Sequence, residues 1–200
     1  MTLRFDAAYY QRFYEDPRTR VYDQKRHAKL INGVVGFAEW FGLELRDVLD
    51  VGAGLGWWGQ WLRKNRPKAK VVSTELEEAI CRAHGHLQAD LRTFRLEQKF
   101  DLVICQGVLP YLDSKGCELA INNLAAMSGG LLYLEAITHL DLNTVCDRTL
   151  TDVDVHDRKG SWYRDRLGRH FEQIGAGLWH KQNGPLLFYE LERAPRRRLT

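Results

Sequence analysis

The chain has 200 residues, 44% hydrophobic and 28% charged, an ordinary soluble composition sized for one domain with a real core. No stretch approaches the roughly eighteen uninterrupted apolar residues of a membrane span, and a net charge of +3 is too small to imply a nucleic-acid partner. Cys81, Cys105, Cys117 and Cys146 form no C-x-x-C pair and the N-terminal "MTLRFDAAYYQRFYEDPRTR" has no apolar signal core, so a cytoplasmic chain with reduced thiols is expected.

Tyr9, Tyr10, Phe13 and Tyr14 fall on a short first helix. From about Arg20 a longer one follows, with Leu30, Val34, Phe37 and Phe41 recurring at helical intervals and Gly42 placed to end it. After residue 45 short β-rich runs alternate with helical ones. "RDVLDV" predicts a strand, and "GWWGQWLRKN" a helix that presents Trp58, Trp61 and Leu62 on one side and stops at Pro67. "AKVVSTE" is the second strand, "LEEAICRA" a short helix, "HLQAD" the third strand and "FDLVICQ" a central fourth. "SKGCELAINNLAAM" reads as a helix with Cys117, Ile121, Leu124 and Ala125 inward, and "GGLLYLEAIT" as another buried strand. This alternation argues for a parallel sheet covered on both faces. At the C-terminus "HFEQIGAGLWHK" and "PLLFYELER" are strand-like runs joined by "QNG", and Asn-Gly between apolar runs predicts an antiparallel hairpin. The basic "RAPRRRLT" reads as a solvated tail.

The most informative stretch is "VLDVGAGLGWWG", Val48 to Gly59. Strand, glycine-rich turn and helix together let a nucleotide lie against bare backbone, since glycine removes the Cβ that would collide with it. A dinucleotide fingerprint needs G-x-G-x-x-G, but Trp57 stands where its third glycine should be. The spacing is G-x-G-x-G, with Asp50 just before Gly52. A P-loop would need Gly-Lys-Ser/Thr, and no Lys or Arg occurs between Val48 and Leu62.

Here the sequence resembles the Rossmann-like class I methyltransferases that use S-adenosylmethionine. In that family an acid at the end of the first strand precedes a G-x-G-x-G loop, as in "LDVGAGLG". The resemblance implies that Asp50, Gly52, Ala53 and Gly54 hold the methionine part and ribose of the cofactor. Glu75 in "VVSTE" matches the acid that binds the ribose hydroxyls. Asp90 in "LQADL" matches the acid that reaches the adenine amino group, with Leu91 beside the ring. "FDLVICQGVLPYL" matches the fourth strand, with backbone near Gln106 and Gly107 close to the cofactor. Taken singly, Glu75 also suits a solvated strand end and Asp90 a turn or helix cap; the ordered set carries the resemblance, which spans residues 45–193. It implies a doubly wound, mostly parallel seven-stranded α/β sheet with helices on both faces and an antiparallel C-terminal hairpin. Residues 1–200 then form one domain, with 1–44 an N-terminal helical lid, 45–193 the core and 194–200 a basic tail.

Methyl transfer from a sulfonium is an in-line displacement on an activated carbon, so alignment and exclusion of water matter most, and orientation contributes roughly 7–11 kcal/mol. By the resemblance, the pocket above the methyl is closed by the N-terminal segment and by the insertions after the fourth and fifth strands. Tyr14 and Arg20 are expected over the methionine end, with Arg20 on its carboxylate. His139 is the candidate general base and Tyr111 a substrate wall. Trp58 and Trp61 are assigned to the core by spacing, and Trp57 to packing ahead of lining the pocket. "TDVDVHD" reads as a polar loop and no metal is expected, because metal-dependent catechol-type members carry an acid where this chain has Gln106-Gly107. The N-P-P-Y type sequence of amino-directed methylases is replaced by "QGVLPY". Residues 139–160 hold five aspartates against Arg148, Arg158 and Lys159, an acidity that suits an amine. The expectation is an S-adenosylmethionine-dependent enzyme methylating O or N of a small or medium-sized soluble acceptor. The alternatives are a protein or tRNA methyltransferase and a non-catalytic cofactor-binding scaffold.

Overall fold

The computed structural model describes residues 4–194. Residues 195–200, which carry the charge of the expected basic tail, lie outside the described residues. The frame is a sheet built on β1 (Asp47–Val51), which is buried from Val48 onward. It pairs in parallel with β2 (Lys70–Glu75) on one side and β4 (Phe100–Gln106) on the other. β3 (Leu87–Gln88) extends the sheet beyond β2, and β5 (Ser128–Glu135) lies parallel to β4. β6 (Phe171–Gly175) and β7 (Leu178–Lys181) complete the order β3-β2-β1-β4-β5-β7-β6, with β7 antiparallel to both β5 and β6.

Alternate residues of the central strands serve two cores, as the period-two pleat dictates. Val48, Leu102, Ile104 and Leu131 pack under α2 (Gln24–Trp40) and α3 (Trp57–Asn65). Leu49, Val103 and Leu132 pack under α5 (Ser114–Met127) and α7 (Gly160–Leu167). Short helices α1 (Ala7–Tyr10), α4 (Glu78–His84) and α6 (His139–Thr144) complete the set, and α1 runs on into a π-helical turn, Gln11–Glu15. Asp23 caps α2 by accepting from Arg26 N at 2.7 Å, and Gly42, at φ +79°, lets the chain leave that helix. No helix among the described residues is long and apolar enough to cross a membrane.

Two expectations are corrected. The buried stripe of α2 is His27, Ile31, Val34, Val35 and Ala38; of the expected row Val34 lies in it, while Leu30, Phe37 and Phe41 flank it half-buried. A histidine at the head of the stripe hid it from an apolar count. The C-terminal hairpin turns at Ala176-Gly177, with φ 49° and 80°, and not at the Asn-Gly. Both strands therefore lie within "HFEQIGAGLWHK", and "PLLFYELER" is not a strand. β7 already has β5 on one edge and β6 on the other, so a strand returning after Gly184 would have no free edge of β7 to pair with. Leu186 and Phe188 instead pack as extended chain in the core under α2, the Phe188 ring 4.5 Å from Phe41.

The chain winds from β1 to β2 and β3 on one side and from β4 to β5 on the other. The crevice at the carboxyl ends of β1 and β4 is therefore the topological switch point, where open α/β sheets bind ligands.

Candidate active site

At that crevice the glycine loop after β1 meets Glu75, Asp90, Gln106 and Glu135 from the ends of the neighbouring strands. They line a cavity of about 520 Å³ walled by Tyr9, Tyr10, Phe13 and Tyr14 of the N-terminal segment. A second cavity of about 470 Å³ lies at the amino ends of β1 and β2, lined by Leu45, Arg46 and Arg66, away from the glycine loop.

Gly52 and Gly54 have left-handed φ values of 67° and 53°. A Cβ on Gly52 would stand 2.3 Å from Val108 Cγ2, and one on Gly54 would stand 3.0 Å from the ring of Tyr10. The loop is held from behind: Ala53 N donates to Thr74 O at 2.9 Å and His86 Nε2 donates to Gly54 O at 3.0 Å.

The strand-end acids sit in three different environments. Asp50 is 2% exposed, and its Oδ2 has no hydrogen-bond partner. Burial, and then the charge of Glu75, pushes its carboxyl up to about 7. Glu75 is also buried but satisfied: Oε1 accepts from Leu76 N at 2.6 Å, and Oε2 from Gly54 N at 3.0 Å and the Tyr10 hydroxyl at 3.4 Å. Asp90 is held by its own loop. Arg92 donates to it from backbone N, Nε and Nη2, and this hydrogen bonding draws the carboxyl below its ordinary range. Leu91 beside it is buried in the α5-side core.

Gln106 organises the floor. Trp58 Nε1–H can only donate, and it reaches Gln106 Oε1 at 2.9 Å, which fixes the orientation of the amide. His27 Nε2 lies 2.8 Å from the same oxygen, so it must carry the proton. His27 Nδ1 is then a bare lone pair, and it is buried without a partner. Burial holds this imidazole below its ordinary pKa, in the neutral form the geometry requires. The amide nitrogen of Gln106 donates to Glu135 Oε2 and to the Tyr22 hydroxyl, each at 3.2 Å. Tyr133 donates to the same Glu135 oxygen at 3.3 Å, and burial raises the Glu135 carboxyl.

Of the expected site residues, Asp50, Gly52, Ala53, Gly54, Glu75, Asp90, Leu91, Gln106, Tyr14 and Tyr111 converge on the cavity. Trp57, expected to pack, lines it too, with its ring 5.9 Å from Tyr14 and 5.2 Å from His27. Two expectations fail on position. Arg20 does not line the cavity; its guanidinium turns to Glu15 O at 3.2 Å and Asp23 at 3.8 Å. His139 also lies off the cavity, at the start of α6, where its Nδ1 pairs with Asp157 at 2.7 Å and half the side chain is exposed. The capping box of Thr138 and Asp141 sets that helix and points its first residue outward. Sequence reading missed His27, Tyr22 and Glu135. The acid closing "LLYLE" was the available signal for Glu135; the other two come from a helix start far away in the chain. Among the described residues no three His, Cys, Asp or Glu side chains converge as a metal site would require.

The family model described as "Methyltransferase domain" matches residues 8–181. No curated protein matches the sequence. Among solved structures, an S-adenosylmethionine-dependent methyltransferase from Clostridium acetobutylicum aligns with a TM-score of 0.60 and 16% identity, over 81% of this chain and 84% of that one. Magnesium protoporphyrin IX methyltransferase from Synechocystis, with bound S-adenosylhomocysteine, gives 0.57 and 18%, over 77% and 82%. The plantazolicin methyltransferase BpumL, in complex with the same product, gives 0.57 and 12%, over 73% and 63%. With a family pattern spanning most of the sequence, this chain belongs to the methyltransferase-domain family, and its sheet has the fold of S-adenosylmethionine-dependent methyltransferases.

Proposed function

We propose that the enzyme methylates an oxygen or nitrogen of a small or medium-sized soluble acceptor, working in the cytoplasm as one domain with residues 1–44 as a lid. The observation that carries this reading is the cavity itself. It is a recess at the strand ends, walled by Tyr9, Tyr10, Phe13 and Tyr14, and a recess takes a compact ligand where a macromolecule needs an open groove. The solved relatives name a porphyrin and plantazolicin as what they act on, so the fold alone does not choose the acceptor.

The residues present fit the methyl donor. Gly52 and Gly54 leave the backbone bare where a side chain would fill the loop. Asp50 brings a partnerless buried oxygen that suits a donor with N–H or cationic groups. Glu75 would take the ribose diol, whose hydroxyls replace the long bond from Tyr10, and Asp90 with Leu91 would take the adenine. Gln106 fixes the floor, and Tyr14 and Trp57 keep water out above it. When bound, the donor supplies a methyl group on a sulfonium. The protein's share is orientation and a dry site, which needs no strong acid or base.

The test is thermal unfolding with S-adenosylhomocysteine. At about a hundred times its dissociation constant a ligand should stabilise the fold by roughly 2.7 kcal/mol. Glu75→Ala should lose roughly 1.5–3 kcal/mol of that binding, the worth of a charge-assisted hydrogen bond, while still folding. An unchanged titration with Glu75→Ala would refute the ribose assignment.

A further inference from the structure

Resting on that reading and extending it to the acceptor, we propose that the methyl acceptor is an amine. It binds as its ammonium on the aromatic and acidic side of the cavity, against Glu135 Oε1.

Three independent observations lead there. The first is charge. Asp50, Glu75, Asp90, Glu135, Asp147 and Asp152 line the cavity, and among the described residues no Lys or Arg does. Arg92 neutralises Asp90, and Arg4 pairs with Asp152 at the rim. Among the described residues Glu75, Glu135 and Asp147 form no ion pair, while the buried Asp50 is held largely in its protonated form, and the methyl donor brings a net single positive charge. A negative surplus therefore remains for the acceptor to meet. A carboxylate or phenolate acceptor would meet repulsion, and an ammonium meets attraction.

The second is the wall. Phe5, Tyr9, Tyr111, Phe13, Tyr14 and Trp57 present rings to the same space. The chain's own cation shows what such a wall does: the Arg4 guanidinium lies 4.7 Å from the centre of the Tyr111 ring while pairing with Asp152 at 3.6 Å. That is aromatic-face recognition of a cation reinforced by a carboxylate.

The third is the incomplete carboxylate on the floor. Both hydrogen bonds to Glu135 fall on Oε2, from Gln106 and Tyr133, so Oε1 is left for a ligand. An ammonium is rich in N–H donors and lacks acceptors, which is what a carboxylate oxygen requires.

The chemistry balances. Glu135 Oε1 takes one proton from the ammonium, leaving a neutral amine with its lone pair. That lone pair forms the new C–N bond as the methyl's C–S bond breaks, with the pair of that bond staying on sulfur. The product nitrogen is a methylated ammonium, and Glu135 returns its proton to solvent.

The experiment is calorimetric titration of the full chain, saturated with S-adenosylhomocysteine, using matched sets on one frame. 2-Phenylethylamine, 2-phenylethanol and phenylacetate form one set, and the indole and cyclohexyl analogues form two more. At least one amine should bind about tenfold or more tighter than its alcohol, with its carboxylate weakest. Glu135→Gln should remove that preference and leave S-adenosylhomocysteine affinity unchanged. Asp152→Asn with Tyr111→Leu, away from the buried floor, should weaken the amine severalfold and serves if Glu135→Gln does not fold. Alcohols or carboxylates binding as well as the amines, or no amine binding at all, overturns the proposal. So does Glu135→Gln weakening the homocysteine product as much as the amine, which would assign this floor to the donor. Failure of S-adenosylhomocysteine to bind the unaltered protein is a separate result and refutes the earlier donor-site assignment.

Discussion

Asp50 shows how one carboxyl at a strand end couples site and stability. Its folded-state value of about 7 stands above the ordinary 3.8 because burial disfavours the charge. Well below pH 3.8 both states are protonated and the group contributes no difference. As pH rises toward 7 the unfolded chain ionises while the folded carboxyl keeps its proton, so stability falls, by about 4 kcal/mol over that window. Asp50→Asn should remove this slope, as read from denaturation midpoints of the two proteins between pH 4 and 8. Gly52→Ala should cost about 1–3 kcal/mol through its left-handed backbone, with added loss of S-adenosylhomocysteine binding as Val108 is pushed aside. Asp50, Gly52, Gly54, Glu75 and Asp90 were legible in the sequence because each lies near a strand end, where the resemblance to the methyltransferase family expects an acid or a glycine. His27 was not legible. Its partner Gln106 is 79 residues away, and on a helix a histidine at a core position looks like any interruption of an apolar stripe.

Elements were legible where their signals are local. Strand-like runs alternating with helical ones after residue 45 led directly to the parallel part of the sheet. The hairpin was misplaced because Asn-Gly is the stronger local turn signal, whereas Ala176-Gly177 wins through pairing of β7 with both β5 and β6. Ala176 bears that choice at φ 49°. Ala176→Gly should therefore stabilise the protein by about 0.5–1 kcal/mol, the left-handed penalty less glycine's entropy. A calorimetric melting point should rise by about 2 °C. The N-terminal segment is held differently. Of residues 4–20, Tyr10 alone is buried, and the rest rests on contacts among aromatic rings such as Phe5 on Tyr111 at 4.9 Å. Trypsin should cut at Arg12 and Arg18 in the free protein, and S-adenosylhomocysteine should slow both cuts, read as band decay on a gel.

At the scale of the molecule, the sheet delivers five strand ends to one crevice while the first residues of the chain fold back over it. Tyr10 joins the two: its hydroxyl reaches Glu75, and its ring lies against Gly54. On the proposed assignment of Glu75 to the ribose, the tyrosine occupies the carboxylate that the donor would use, so the resting wall and the incoming donor are rivals for one oxygen. Such rivalry imposes a sequence in time. The donor must displace Tyr10 before the acceptor's chamber is complete, and the demethylated product stays until the tyrosine can return. Steady-state kinetics should then be ordered, donor first and its product last, with S-adenosylhomocysteine competitive against the donor alone. Tyr10→Phe should shorten the residence time of that product in a stopped-flow chase if the returning hydroxyl holds the departing molecule back, and lengthen it if the hydroxyl drives the molecule out. Rivalry requires the second result.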